Sequence, residues 1–188
     1  MTRKQAVVRG SLGFFYASLM VFTTVVLGTR WLYSNLKEAG AYSVWALEFI
    51  FFAGIILARM FRVPVWPFAG IFGASFAAYV IGWCAVYFAI TNRVGELIAS
   101  VAGPFLMSVA AIGITKSRGH FLKAFTALTT GHTIGYFLGS LLFESVGKAA
   151  GMMLWGICYG FGFGAGIGYT AHLLLEPHSR PEPTRSAS

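Results

Sequence analysis

Charged residues divide this chain into six apolar stretches, each about as long as a helix must be to cross a bilayer. The stretches cover 10–33, 41–61, 67–90, 94–115, 121–143 and 149–175. A helix spans the hydrocarbon core with roughly 20 apolar residues. Only 11% of the 188 residues are charged and 57% are hydrophobic, whereas soluble domains carry roughly 25% charged residues. So few charges cannot cover a water-soluble fold of this size, and lipid must cover it instead. The expected fold is an all-α, polytopic transmembrane bundle of about six spans over residues 1–175. The first stretch follows Arg3, Lys4 and Arg9 as a signal peptide would. Its length and the lack of an A-x-A-like cleavage site make it a retained span. Residues 176–188 are Pro, Ser and charged residues with little to bury, which reads as a disordered cytoplasmic tail.

The basic residues set an orientation, because cytoplasmic loops collect Lys and Arg. With the N-terminus inside, the inner segments hold Arg3, Lys4, Arg9, Arg59, Arg62, Lys116, Arg118, Lys123, Arg180 and Arg185. The outer ones hold Arg30, Lys37, Arg93 and Lys148. Glu38, Glu48, Glu96 and Glu144 fall on the outer side, so the net charge of +8 lies on the inner side. A nucleic-acid-binding surface would not alternate loop by loop, so no nucleic-acid partner is expected. The expected location is the plasma (inner) membrane, multi-pass, with both termini cytoplasmic. Trp31, Tyr33, Tyr42, Trp45, Tyr87 and Trp155 lie near the outer boundary and Trp66 near the inner one, where amphipathic rings form interfacial belts.

Several chemistries are disfavoured. The chain contains no Asp, and its six Glu are scattered singly. Mg²⁺–diphosphate chemistry and aspartyl proteolysis both need clustered carboxylates. Cys84 and Cys158 each lie in an apolar run, which suits packing rather than a disulfide or zinc site. No metal, cofactor or enzyme site is expected. Gly73-Ala74-Ser75 and Ala171-His172 resemble, as two fragments, the rhomboid proteases. Phe76 stands where that family has a second glycine, however, and its upstream His and Asn are not found together in any span.

The strongest local pattern is glycine at every fourth position in the last two spans: Gly131, Gly135 and Gly139, then Gly156, Gly160, Gly164 and Gly168. Such strips let helix backbones approach closely in lipid. An antiparallel hairpin would pair Gly131 with Gly168, Gly135 with Gly164 and Gly139 with Gly160. Gly162 and Gly166 add a second smooth face for another helix, a subunit or a flat cofactor.

Ionisable groups inside a span are costly and mark functional candidates. Glu48 lies in the outer third of the second span, His132 at the middle of the fifth beside Thr129, Thr130 and Thr133, and His172 near the inner end of the sixth. Pro104 removes the helical partner of the Ser100 carbonyl, and interrupted helices at the midplane serve transporters as binding sites. Each also has a structural reading: Glu48 paired with Arg30 or Lys37, His132 bonded to a helix carbonyl, and His172 anchored at the interface.

The leading functional expectation is therefore a small-solute or proton-coupled transporter or channel-like protein. Glu48, Ser100, Pro104 and His132 would be its substrate- or ion-binding residues. One alternative is a non-catalytic subunit or assembly factor, packing as a homo-oligomer or within a larger complex. Another is a haem-binding membrane protein using His132 and His172.

Overall fold

In a computed structural model of the chain, which describes residues 1–175 except the side chain of Thr29, the apolar stretches are helical and no strand forms among the described residues. The tail expected at 176–188 lies outside them. The helices are α1 (Arg3–Phe61), α2 (Val65–Ala89), α3 (Arg93–Thr115), α4 (Phe121–Val146) and α5 (Lys148–Leu175), with a single 3₁₀ turn at Arg118–His120 before α4.

The first two expected spans are the arms of α1. Its backbone leaves helical geometry at Lys37 (φ 55°, ψ −172°), and there the chain turns back on itself. Phe14 stacks on Phe49 at 5.3 Å between ring centroids, and Gly13 lies against Leu57, so the outgoing and returning arms run antiparallel. The other reversals take from one to five residues. Arg62 and Lys116 end α1 and α3 in the left-handed conformation, and Gly147 (φ 66°) separates α4 from α5 by one residue. The starts of α1 and α3 carry side-chain caps. Thr2 and Gln5 form a capping box on α1, and Asn92 Oδ1 accepts from the Val94 and Gly95 amides at 3.0 Å, satisfying donors the helix leaves free.

Among the described residues, five segments are long and apolar enough to cross a membrane: Arg3–Gly28, Arg30–Phe61, Val65–Ala89, Arg93–Thr115 and Lys148–Leu175. The chain is thus a multi-pass, all-α membrane protein. α4 is also membrane-length, at 26 residues, but Thr126, Thr129, Thr130, His132 and Thr133 lower its hydropathy. It lies antiparallel along α3 over its whole length, with Phe105 against Phe121 and Phe125 towards one end and Arg93 against Ser140 and Glu144 at the other. Large apolar side chains face outward, Leu27 81% exposed and Leu122 71%, as lipid-facing positions require.

The six rods close into a ring. Each packs on its neighbours in sequence, and α5 closes the circle against the outgoing arm of α1. One end of the ring holds Arg3, Lys4, Arg9, Arg59, Arg62, Lys116, Arg118 and Lys123, and is called the basic end below. The other, the mixed end, holds Lys37, Glu38, Arg93, Glu96, Glu144 and Lys148.

The glycine strips do not pair as their spacing suggests. A Cβ on Gly131 would meet Gly162, one on Gly135 would meet Cys158, Tyr159 and Gly162, and one on Gly139 would meet Trp155. Opposite Gly131, Gly162 takes the place expected for Gly168, a displacement of six residues. The cause is the turn: with Gly147 as the whole connection, the register is centred there, between two and three residues earlier than glycine-to-glycine pairing would place it. The ladder Gly156, Gly160, Gly164 and Gly168 meets the outgoing arm of α1 instead, against Phe22, Ser18, Gly10 and Ala6 respectively. Positions two residues apart on a helix point roughly 200° from one another. The two strips of α5 therefore face opposite neighbours, and α5 is clamped between α4 and α1. Ser18 Oγ donates to the Gly156 carbonyl across this seam at 2.7 Å.

Candidate functional site

One face of α2 carries an aromatic side chain at every turn: Phe68, Phe72, Phe76, Tyr79, Trp83 and Tyr87, with spacings of three or four that align them along the helix. The stripe points into the ring. In the half towards the basic end, Phe14, Phe49, Phe76 and Phe163 meet one another, with Phe14–Phe163 at 5.4 Å and Phe14–Phe76 at 6.1 Å between centroids. They fill the axis of the bundle. In the half towards the mixed end the rings touch along the wall, as Trp83 with Tyr136 at 6.0 Å and Tyr136 with Trp155 at 5.3 Å between centroids, and line a cavity of about 220 Å³.

Its walls come from α1, α2, α4 and α5. Tyr42, Trp45 and Phe49 line it from the returning arm, Trp83 and Tyr87 from α2, Tyr136 from α4, and Trp155 and Tyr159 from α5. Among the described residues eighteen line it, of which twelve are aromatic and none carries a formal charge. The indole N–H groups of Trp45, Trp83 and Trp155 are buried, and no acceptor for them is found among the described residues. Indole nitrogen only donates, and all three tryptophans line the cavity.

A hydrogen-bonded chain lies at the floor. Tyr79 Oη is 2.7 Å from His132 Nε2 and 3.1 Å from Tyr159 Oη. His132 is fully buried, enclosed by Tyr79, Tyr136, Tyr159 and Phe163 at 5.1–5.7 Å between ring centroids. With a neutral ring, one nitrogen donates and the other accepts. In either tautomer the Nδ1 group is left over, since no partner for it is found among the described residues. Its neighbour one turn away, Thr129 Oγ1, is in the same position. A haem on His132 would have to displace the four rings around it.

The residues singled out from sequence are not gathered at one polar site. Glu48 lies between the arms of α1, its Oε2 2.6 Å from Thr24 Oγ1. The Thr24 hydroxyl also lies 2.7 Å from the Val21 carbonyl, so one proton serves two acceptors. Both ion pairs found among the described residues are made by Arg93, with Glu96 at 3.0 Å and with Glu144. α3 is not interrupted at Pro104: the helix runs from Arg93 to Thr115 with the proline inside it. Gly103 lies under the Tyr79 ring. Ser100 Oγ donates to the Leu97 carbonyl at 2.8 Å and is 3.2 Å from Thr133 Oγ1. Ser100 is thus level with Thr133, the neighbour of His132 in sequence, but it joins α3 to the side of α4 and opens no cavity.

The cavity itself is what sequence reasoning missed. Tyr33, Tyr42, Trp45, Tyr87 and Trp155, expected as an interfacial belt, all line it. Trp31 and Trp66, 63% and 76% exposed, are the tryptophans that face outward. The signal was present in the α2 stripe, continued by Tyr42, Trp45 and Phe49 on the returning arm. No known protein family, curated protein or solved structure matches the chain.

Proposed function

We propose that this protein carries a small organic solute across the plasma (inner) membrane, with the basic end of the ring in the cytoplasm. The observation that supports this reading is the cavity enclosed within membrane-crossing helices, in one half of the bundle, above a plug of phenylalanines in the other. A site reached from one side and closed towards the other is what alternating access needs at rest. Phe14, Phe49, Phe76 and Phe163 would then be the closed gate. The Tyr159–Tyr79–His132 chain would link solute in the cavity to a polar group at mid-depth, next to that gate.

The test is uptake into proteoliposomes of isotope-labelled solutes from separate classes: zwitterions, organic cations, amino acids and neutral osmolytes. The expected result is accumulation of one class above protein-free vesicles, abolished in Trp83→Leu. No uptake of any class, by protein that binds a ligand in the cavity, would overturn transport. Flux unchanged in Glu48→Gln and His132→Ala would remove those two residues from the mechanism. The orientation is checked separately: in intact cells the Lys116–His120 connection should resist impermeant amine reagents, and labelling there would reverse it.

A further inference from the structure

Resting on the reading of the aromatic cavity as the solute site, we propose that its ligand is a methylated ammonium carboxylate, a compact zwitterion of the betaine class. Three properties of the wall converge on it. First, twelve lining residues are aromatic, and ring faces attract a cation most strongly where water is excluded. A quaternary ammonium suits such a wall because it has no N–H to satisfy. Second, the indole N–H groups of Trp45, Trp83 and Trp155 are buried without an acceptor among the described residues. A carboxylate is acceptor-only and takes several donors at once. Third, none of the described lining residues carries a formal charge, and a net charge in an apolar site without a counter-charge is costly. A zwitterion brings its own.

Size agrees. A cavity on the order of 150 Å³ admits benzene with six heavy atoms. The 220 Å³ here leaves room for glycine betaine, with about eight heavy atoms on the same scale. Such a solute crosses lipid poorly by itself, which gives a carrier its purpose.

Four probes of nearly one shape separate the contributions. Glycine betaine has both charges. Choline keeps the cation, 3,3-dimethylbutanoate keeps the carboxylate, and 3,3-dimethylbutanol has neither. Each is titrated into the full-length protein in lipid nanodiscs, with binding measured by calorimetry. Glycine betaine is expected to bind at least about tenfold tighter than 3,3-dimethylbutanoate, from the lost cation–ring attraction. It should also bind about tenfold or more tighter than choline, from the lost charged hydrogen bonds. Trp155→Phe, which keeps a ring and removes the N–H, should cost glycine betaine about tenfold.

Choline binding as tightly as glycine betaine would overturn the proposal in favour of a cation cage. Equal binding of 3,3-dimethylbutanoate would overturn it in favour of an anion site, and binding of none of the four would overturn it outright. Glycine betaine bound but not taken up by proteoliposomes upholds this inference and sinks transport. Uptake of another class without glycine betaine binding does the reverse.

Discussion

The seam between α1 and α5 makes a quantitative demand on Gly164. A Cβ built there would sit 2.6 Å from the Gly10 carbonyl oxygen and 2.9 Å from both Phe14 Cβ and Ser11 Cα. Carbon and carbonyl oxygen ordinarily approach no closer than about 3.3 Å. Two of the three obstacles are backbone, so no side chain can rotate away and the helices must separate by several tenths of an ångström. Overpacking of this kind costs roughly 1–3 kcal/mol. Separation also stretches the Ser18–Gly156 hydrogen bond, a type worth about 0.6 kcal/mol on average in membrane proteins. Against this, alanine is favoured over glycine in a helix by up to about 1 kcal/mol. Gly164→Ala should therefore destabilise by roughly 1–3 kcal/mol. Gly70 and Gly113 are the internal standards, because a Cβ at either meets nothing within 4 Å. Gly70→Ala and Gly113→Ala keep only the propensity gain and should be neutral or stabilising by up to about 1 kcal/mol. The assay is reversible unfolding in mixed detergent micelles, followed by helical circular dichroism. If Gly164→Ala proves as stable as Gly113→Ala, the helices do not approach at this seam and the closure of the ring is wrong. The larger Gly164→Leu should release α5 from α1, while leaving the α4–α5 contact at Gly131 and Gly162 in place.

Three further outcomes follow from the site and its rim. Tyr79→Phe leaves His132 Nε2 and Tyr159 Oη without the hydroxyl they share, and should cost about 1–3 kcal/mol of stability in the same unfolding assay; Tyr16→Phe, at an exposed position, should cost nothing measurable. Cys84 lines the cavity, so in a Cys158→Ala background an impermeant methanethiosulfonate should label it from the mixed-end side, and a bound cavity ligand should slow the labelling; no labelling would mean the cavity is closed on that side. Arg93 joins α3 to α4 through Glu144 and Ser140, but its side chain is 56% exposed, so Arg93→Ala should cost less than about 1 kcal/mol, and less again in high salt; a larger loss would show that these contacts are shielded from solvent.

The functional residues divide by how far each depends on a neighbour. His132 was visible because a titratable group amid an apolar run stands out in any register, and its burial follows from the cost of exposing it to lipid. Its partner was not visible, since Tyr79 lies on another helix and 53 residues away. Glu48 was equally conspicuous, yet it turned to Thr24 between the arms of α1. Hydropathy reports depth along a helix and says nothing of rotation about it. The belt aromatics show the same limit. Trp45 and Trp155 line the cavity in the half of the bundle towards the mixed end, and the sequence alone does not tell a ring facing headgroups from one facing a cavity at equal depth.

From the chain alone came the helices, their antiparallel alternation and the segregation of basic residues to one end of the bundle. Each depends on the transfer of individual residues and short segments between water and lipid, which needs no partner. The tertiary structure alone decided which strip of α5 meets α4 and which meets α1, and that the aromatic stripes enclose a cavity. Those outcomes depend on rotation about each helix axis, set where a one-residue turn such as Gly147 fixes the register and the packing of six rods must be satisfied at once.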